Sequence, residues 1–312
     1  MLISRFMNFV RGILTVTLLS ANMVIACVPI YLFGFIRLFL PAVARSVLTH
    51  WMDHVIDIWV GGNRLLFAAM HLTNVELVWD GAEDLSRNRW YMVVSNHQSW
   101  TDILILQTRL YGHIPPIKFF TKQQLIWVPF LGVAMWLLGF PYVRRLSKEQ
   151  ITANPQLIRL DRQATLDACK GFRNHPTTVL NFLEGTRFTA DKHARQDGRF
   201  QTLLNPKVGG LAYVLSALND KLHYVVDVTI EYPDGVPTFW AFMKGECRTV
   251  RMLIQCRAMP PEIVEMNALA DIRRALNPWV DTIWQEKDER LGGAKAKRPQ
   301  QAKVSASGNA NE

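Results

Sequence analysis

Residues 90–110 read W-Y-M-V-V-S-N-H-Q-S-W-T-D-I-L-I-L-Q-T-R-L, and this segment decides the fold. The apolar run at residues 91–94 predicts a buried strand, and the apolar pattern of residues 103–110 predicts a helix. The polar sequence S-N-H interrupts the apolar pattern between them. A buried strand that passes directly into a helix is typical of an α/β fold, where such turns lie at the mouth of the sheet.

His97 and Asp102 lie within this predicted turn. Their five-residue offset lets the carboxylate fold back onto one imidazole nitrogen, which fixes the tautomer and leaves the other nitrogen free to take a proton. Such a pair predicts the activation of a hydroxyl group. Because the chain has eight histidines, an Asp at this offset also arises by chance, and the pair needs independent support.

A second polar strand end supplies that support. Residues 177–187 read T-T-V-L-N-F-L-E-G-T-R, a β-rich run that ends in Glu184, Gly185, Thr186 and Arg187. A strand that ends there brings a carboxylate and a guanidinium to the same edge of the sheet as the histidine of the first segment. We therefore expect the two segments to share one site.

These two motifs resemble the signatures of the glycerolipid acyltransferases, which include the lysophosphatidic acid acyltransferases. N-H-Q-S-W-T-D matches the pattern N-H-x-x-x-x-D, and F-L-E-G-T-R contains E-G-T-R. The resemblance implies an α/β fold, with a glycerolipid-acyltransferase-like central sheet flanked by helices and an N-terminal membrane-embedded helical anchor. It also implies that His97 and Asp102 are catalytic, and that the four E-G-T-R residues bind substrate.

Two further blocks of the family pattern are partly present. Residues 122–132 follow the order of the second block, K-x-x-L-x-x-x-P-x-x-G, and Arg144 or Arg145 supplies the basic residue after it. V-D-V-T-I at residues 226–230 occupies the place of the fourth block. Many members carry a proline near Asp227, which this chain lacks. The D-x-T version resembles the branch of lysocardiolipin and lysophosphatidylinositol acyltransferases, so the identity of the acceptor stays open.

Residues 125–143 form a run of nineteen positions without a charge. Its length is marginal for a transmembrane helix, and its two prolines and two glycines argue against a straight span. We expect a buried or interfacial segment that lines a tunnel for an acyl chain. The flanking cations Lys118, Lys122, Arg144 and Arg145 are candidate phosphate contacts, and ordinary surface charge is the alternative reading of each.

Residues 12–36 are 25 positions without a charge. As a helix they measure about 37 Å, enough to cross a hydrocarbon core of ~30 Å. Pro29 falls within the run, so a kinked span and a hairpin that dips into one leaflet both fit it. A lipoprotein-like cleavage pattern ends at Cys27, but the apolar run continues beyond it. That continuation favours a retained anchor over a cleaved signal.

The chain divides into three predicted parts. We assign residues 1–45 to a membrane anchor, residues 46–291 to an acyltransferase domain and residues 292–312 to a disordered tail. Periodicity predicts helices at 50–70, 157–174, 208–218 and 268–291, strands at 75–79, 225–230 and 250–255, and a polar loop at 190–207.

The charge and the cysteines indicate the partners and the compartment. A net charge of +9 implies an anionic partner. No nucleic-acid-binding motif is present, whereas membrane lipids, the phosphates of coenzyme A or an acyl carrier protein fit the apolar sequence. Four cysteines without a C-x-x-C pair indicate a reducing compartment. We expect the catalytic domain at the cytoplasmic face of a membrane, the inner membrane if the source is bacterial.

The resemblance and the site residues together predict a membrane-bound O-acyltransferase. It would move a fatty acyl group from acyl-CoA or acyl carrier protein to the free hydroxyl of a lysophospholipid, without a cofactor or a metal. The first acceptor is 1-acylglycerol-3-phosphate, giving phosphatidic acid, and another lysophospholipid is second. His97 would be the base, Asp102 would hold its ring, Arg187 would grip the acceptor phosphate, and Glu184 and Thr186 would shape that pocket. Backbone N–H groups near the helix start would hold the oxyanion.

Three other classes of protein compete with this prediction. A serine lipase requires G-x-S-x-G, which does not occur in the sequence. A metallohydrolase would use His97 and Asp102 as ligands, but no further His or Asp cluster in the sequence completes a coordination shell. A membrane-associated lipid-binding or scaffold protein with the acyltransferase fold, but without catalysis, stays open. The intact motifs favour the enzyme.

Overall fold

The computed structural model describes residues 2–81, 84–143, 152, 154, 156–218 and 220–296. Its helices are α1 (Leu2–Arg37), α2 (Ala42–Ala69), α3 (Thr101–Leu110), α4 (Leu131–Leu137), α5 (Gln156–Lys170), α6 (Ala190–Ala194), α7 (Gly209–Leu218), α8 (Phe239–Met243), α9 (Pro261–Val264) and α10 (Leu269–Ala296). Its strands are β1 (Asn74–Asp80), β2 (Tyr91–Ser95), β3 (Ile117–Phe119), β4 (Thr121–Lys122), β5 (Tyr142–Val143), β6 (Thr178–Phe182), β7 (Tyr224–Glu231) and β8 (Thr249–Ala258). Short 3₁₀ helices lie at Gln123–Trp127 and Gly171–Asn174.

Six of the strands form the central sheet, in the order β1-β8-β7-β2-β6-β3. Its neighbouring strands are parallel except β7 and β8, which run antiparallel. Strand β2 lies inside the sheet and all five of its residues are buried, as expected for a strand that is covered on both faces. The predicted α/β class, with a central sheet flanked by helices, is confirmed.

Alternate residues of β2 enter two separate hydrophobic cores. Met92 and Val94 pack with residues of α5, α7 and α10 on one face of the sheet. Tyr91 and Val93 pack with residues of α3 on the other face. The alternation follows from the pleat of the strand, which points successive side chains to opposite faces. The loop that follows β2 is therefore anchored between two packed layers.

Helix α1 is continuous through Pro29 and pairs with α2, so the helical hairpin is formed by the two helices together. A Cβ added at Gly12 would meet Trp240 of α8, and one at Gly34 would meet Leu137 of α4. Both ends of α1 thus contact the rest of the fold. By length and composition α1 can cross a membrane: its apolar stretch has a mean hydropathy of 2.1, and 17% of that stretch is buried inside the protein. This helix indicates membrane association.

The predicted domain boundaries differ in detail from the observed elements. The boundary at residue 45 falls inside α2, because that helix begins directly after Pro41. Helix α10 continues through Ala296, past the predicted start of the tail, and residues 297–312 lie outside the described residues. The polar loop at 190–207 includes the short helix α6, whose first turn is capped by the Thr189 hydroxyl.

Candidate active site

The buried side chain of Asn96 fixes the loop that carries the first motif. Its Oδ1 accepts a hydrogen bond from the N–H of Ile230 at 2.8 Å, and its Nδ2 donates to the carbonyl of Ile230 at 2.9 Å. Ile230 belongs to β7, the neighbour of β2, so the amide takes the place of a backbone pair beyond the end of β2. This contact holds the backbone next to His97 in one position.

His97 and Asp102 form the contact that their spacing predicts. The Asp102 Oδ2 atom lies 2.8 Å from His97 Nδ1. The same oxygen accepts hydrogen bonds from the backbone N–H groups of Gln98 at 2.7 Å and Ser99 at 2.9 Å. Asp102 is fully buried and lies in the first turn of α3, where the helix dipole favours a negative charge. The carboxylate therefore holds the imidazole by its Nδ1 atom.

The other nitrogen of His97 is left for chemistry. The ring stacks on Phe182, with the ring centroids 3.9 Å apart and an angle of 14° between the planes. Within the described part of the chain, Nε2 has no hydrogen-bond partner, and the side chain is 13% exposed. The arrangement presents an oriented, unoccupied nitrogen that can accept a proton from a nearby hydroxyl.

Glu184 connects the two motifs through the backbone. Its Oε1 accepts a hydrogen bond from the N–H of His97 at 2.8 Å, and its Oε2 accepts one from the N–H of Leu204 at 3.3 Å. The residue is 1% exposed, and burial raises the pKa of its carboxyl to about 7. The carboxyl thus supports the backbone of His97, a contact that was not predicted for Glu184, and its role in substrate binding stays a prediction.

Three backbone N–H groups just before α3, where an oxyanion contact was expected, already have partners. Those of Gln98 and Ser99 donate to Asp102, and that of His97 donates to Glu184. These three groups therefore orient Asp102 and the backbone of His97. Two of them donate to a buried carboxylate at the start of α3, and the oxyanion contact stays a prediction for the other N–H groups there.

Gly185 and Lys192 determine the conformation of the E-G-T-R turn. Gly185 has a φ of +67°, a conformation that side chains disfavour, and its N–H donates to the carbonyl of Phe182 at 2.8 Å. The ammonium of Lys192 donates to the hydroxyl of Thr186 and to the carbonyl of Arg187, both at 2.9 Å. A positive charge is thus held against the turn by neutral oxygens.

Two further cations flank the same turn. The guanidinium of Arg187 lies 4.5 Å from the ring centroid of Trp100, which is 51% exposed. The side chain of Lys207 runs beside Gly185, where an added Cβ would lie 3.2 Å from its Cδ. Within the described residues, neither Arg187 nor Lys207 forms an ion pair with a carboxylate. Unpaired cations at one turn create a positive potential that attracts anions.

The flanking cations of the second block are not brought together at this turn. Lys118 is 2% exposed on β3, and its ammonium lies 3.0 Å from the Asp53 carboxylate of α2, which also contacts His175. Lys118 therefore has a buried carboxylate partner that was not predicted, and its phosphate contact stays a prediction. Lys122 is exposed at the end of β4, and its role stays a prediction. Arg144 and Arg145 lie outside the described residues.

The acid of the fourth block also has a structural environment. Asp227 is 1% exposed and lies 2.6 Å from the ammonium of Lys287 and 3.2 Å from Nε of Arg257. Lys287 is itself 1% exposed and donates to the carbonyl of Val228. This cluster of buried charges joins β7 to β8 and α10, so the block supports the sheet behind the motifs.

An apolar cavity of about 610 Å³ lies beside the start of α3. Residues of α1, α2, α3 and α4 line it, and on α3 they include Ile103 and Leu104, which follow Asp102 directly. Trp100 lines the cavity, and its ring also contacts the guanidinium of Arg187. The 125–143 segment contributes Leu131, Ala134, Met135, Leu138 and Phe140. One side of the segment therefore lines a cavity of the kind predicted for it, while Trp127 and Trp136 of the same segment are exposed.

Sequence reasoning missed four residues of this region. Lys192 and Lys207 fall within the segment predicted as a polar loop, where mixed charge gives no sign of a shared contact. Trp100 lies inside the first motif, but its aromatic ring has no fixed role in the pattern. Tyr232, whose hydroxyl donates to Asp102, lies 130 positions away in the sequence and carries no motif signal.

Comparison with known proteins places the chain in a family. A family model described as Acyltransferase matches residues 76–232, 157 of the 312 residues. Lysocardiolipin acyltransferase 1 of Gallus gallus is 22% identical over 251 residues, which cover 77% of this chain and 62% of that protein. 1-acyl-sn-glycerol-3-phosphate acyltransferase alpha of Ovis aries is 30% identical over 126 residues, which cover 39% and 42%. The chain belongs to the Acyltransferase family.

The fold also has a counterpart among solved structures. The crystal structure of the 1-acyl-sn-glycerophosphate acyltransferase PlsC from Thermotoga maritima aligns with a TM-score of 0.52 and 17% identity, covering 90% of this chain and 97% of that one. At this identity the likeness concerns the fold. The chain spans about three-fifths of the avian relative and about two-fifths of the ovine relative.

Proposed function

We propose that this protein is a membrane-bound O-acyltransferase that moves a fatty acyl group from a thioester to the free hydroxyl of a lysophospholipid. The observation that carries the proposal is the oriented His97–Asp102 pair beside a large apolar cavity. The match to the Acyltransferase family and the acyltransferase names of both relatives support it.

In the proposed reaction His97 is a general base. Its Nε2 atom takes the proton of the acceptor hydroxyl while the hydroxyl oxygen attacks the thioester carbonyl. Asp102 holds the ring by Nδ1 and stabilises the imidazolium. The tetrahedral intermediate then collapses, the carbon–sulfur bond breaks, and the imidazolium returns the proton to the leaving thiolate. The products are an ester and a free thiol, and the step requires neither a cofactor nor a metal.

The apolar cavity takes the acyl chain in this proposal. It begins at Trp100 and the residues of α3 that follow the catalytic aspartate, and it extends to α1 and α2. Burial of each methylene stabilises the bound chain by about 0.8 kcal/mol, so a cavity of this size contributes strongly to donor binding. The donor is acyl-CoA or acyl carrier protein, and the net charge of +9 favours either anionic carrier.

The cations at the E-G-T-R turn take the phosphate of the acceptor in this proposal. Arg187 offers a planar, bidentate donor, and Lys192 and Lys207 add two point charges beside it. A phosphomonoester carries about −1.5 to −2 charges at pH 7, which matches three cations better than a phosphodiester does. Lysophosphatidic acid is therefore the first acceptor. Lysocardiolipin or lysophosphatidylinositol is second, since one relative is a lysocardiolipin acyltransferase.

The protein is proposed to lie on the cytoplasmic face with its helical hairpin inserted in one leaflet. On α2, Trp51, Ile58 and Leu65 recur every seven residues and are more than half exposed, and Trp127 and Trp136 add exposed aromatic rings near α4. The contacts of α1 at Gly12 and Gly34 lie about 33 Å apart along the helix. If α1 spanned the bilayer, these two contacts would lie near opposite membrane surfaces, and the rest of the fold would have to cross the bilayer as well.

Purified protein in detergent or lipid tests the proposal by release of free thiol from palmitoyl-CoA or palmitoyl-carrier protein. The acceptors are lysophosphatidic acid, lysocardiolipin, lysophosphatidylinositol and lysophosphatidylcholine. We expect the highest kcat/KM with lysophosphatidic acid. Turnover of lysocardiolipin or lysophosphatidylinositol alone would support acyltransferase activity and contradict lysophosphatidic acid as the first acceptor. No turnover of any acceptor with either donor would contradict the enzyme and favour a lipid-binding or scaffold role.

A further inference from the structure

The Asp102 carboxylate has two oxygens in unequal surroundings. Its Oδ2 receives the His97 ring and two backbone N–H groups. Its Oδ1 receives the hydroxyl of Tyr232 at 2.5 Å. Among the described residues no other donor reaches Oδ1, and the carboxylate is fully buried. One phenol therefore supplies what would otherwise be a missing hydrogen bond to a buried charge.

Tyr232 can serve this oxygen only as a donor. An ionised carboxylate has no proton to give, so the phenolic hydrogen must point to Asp102. Tyr232 is 4% exposed, and burial first, then the charge of Asp102, raises its pKa far above the ordinary value, so it keeps this proton throughout the working range. The phenol is a permanent donor.

The phenol is itself held by hydroxyl groups of the first motif. Thr101 Oγ1 lies 3.1 Å from the Tyr232 oxygen and 3.0 Å from Ser99 Oγ. Ser99 donates in turn to the carbonyl of Pro237 at 3.2 Å. Tyr232 stands directly after β7, and Pro237 precedes α8. Because Tyr232 donates to Asp102 and Ser99 donates to Pro237, the single Thr101 proton goes either to Tyr232 or to Ser99, and these hydroxyl contacts join the motif loop to the segment after β7.

We propose that Tyr232 is a positioning residue that completes a His97–Asp102–Tyr232 triad and sets the basicity of His97 through the Oδ1 atom of Asp102. The proposal rests on the acyl transfer proposed above. A hydrogen bond to Oδ1 draws negative charge away from Oδ2, which faces the imidazole. When the phenol is present, the carboxylate therefore stabilises the imidazolium less strongly than it would alone.

Tyr232→Phe tests the triad, because it removes one oxygen and keeps the ring. We expect the acidic limb of kcat/KM against pH to move upward, because the imidazolium is then better stabilised. The upward move should persist in a Glu184→Gln background, which removes the other carboxyl that titrates beside His97. We also expect kcat at its optimum to fall about tenfold as the carboxylate loses its second anchor. A purely structural tyrosine would change the amount of active protein and leave the midpoint of the limb in place.

Tyr91→Phe is the matched control. Tyr91 is also buried, and its hydroxyl accepts the backbone N–H of Ser86, away from the catalytic pair. Its midpoint should equal that of the wild type. An unchanged midpoint in folded Tyr232→Phe would overturn the proposal, while measurable wild-type turnover keeps the proposed function intact. If Tyr232→Phe does not fold, Thr101→Val replaces it as the test, because it removes the hydroxyl that contacts the phenol. We then expect a smaller upward shift of the same midpoint, and an unchanged midpoint in Thr101→Val would also overturn the proposal.

Discussion

Replacing Glu184 by Gln should change how the stability of this protein depends on pH. Glu184 is 1% exposed, and burial raises its pKa from 4.5 to about 7. Between these values the folded protein keeps a proton that the unfolded chain has released. The free energy of unfolding therefore falls as the pH rises from about 4.5 to 7. Below pH 4.5 both states hold the proton, and burial of Glu184 does not lower the free energy of unfolding in this way. Gln has no proton to lose, so the variant lacks the dependence.

The size of the effect follows from the pKa. The rise from 4.5 to about 7, at about 1.4 kcal/mol for each unit, amounts to about 3 kcal/mol. We expect the stability of the wild type relative to Glu184→Gln to decrease by about that amount between pH 4.5 and pH 7, and to stay constant above pH 7. Melting curves of both proteins in the same detergent, taken at half-unit steps, measure the difference.

Glu262→Gln is the control for the substitution itself, because Glu262 is an exposed carboxyl on the surface. Its difference from the wild type should show no change of comparable size over the same range. A difference between the wild type and Glu184→Gln that is constant from pH 4.5 to 7 would refute the assignment of a buried, protonated Glu184. A difference that grows with pH in favour of the wild type would refute it as well.

Three further predictions address the remaining parts of the site. Arg187→Ala should raise the KM for lysophosphatidic acid about ten- to a hundredfold, because it removes a charged hydrogen bond; an unchanged KM in steady-state assays would contradict the phosphate contact. Gly185→Ala should lower the free energy of unfolding by about 1–2 kcal/mol because of its positive φ. Gly171→Ala, with open space around it, should be nearly neutral in the same denaturation experiment. Ala134→Leu fills part of the cavity and should lower kcat/KM for palmitoyl-CoA relative to decanoyl-CoA about tenfold, the loss of about two buried methylenes; an equal ratio would place the acyl chain elsewhere.

The central elements were predictable because local signals and global fold agree there. The first motif lies between a wholly buried strand with an apolar run and a helix with an apolar pattern, so its place at the end of β2 follows from the sequence pattern. The contact between His97 and Asp102 was equally accessible, since a carboxylate in the first turn of a helix can reach a side chain just before it. In both cases the interacting groups are close in the sequence.

Contacts between distant segments were not predictable from one sequence. Lys118 follows an apolar run and looked free, but its partner Asp53 lies on α2, which only the fold brings to β3. The carboxyl of Glu184 was recognised at a strand end, yet its burial depends on Leu204 and the segment around it. Tyr232 reaches Asp102 only because β7 and β2 are neighbours in the sheet.

The cavity was predicted only in part, for a related reason. Residues 125–143 gave an apolar composition with prolines and glycines, which indicated a lining segment but no shape. Four helices from separate parts of the chain enclose the space. Their relative placement depends on the pairing of α1 with α2 and on contacts such as Gly34 against Leu137, which no periodicity encodes.

The most direct test of the central claim is acyl transfer from palmitoyl-CoA to lysophosphatidic acid by the wild type and by His97→Ala. His223→Ala, which alters an exposed histidine outside the site, is the matched control. General-base catalysis contributes about 10² to 10⁴ in rate, so we expect turnover to fall by at least a hundredfold in His97→Ala and to persist in His223→Ala. Turnover by folded His97→Ala within a few fold of the wild type would contradict the assignment of His97 as the base.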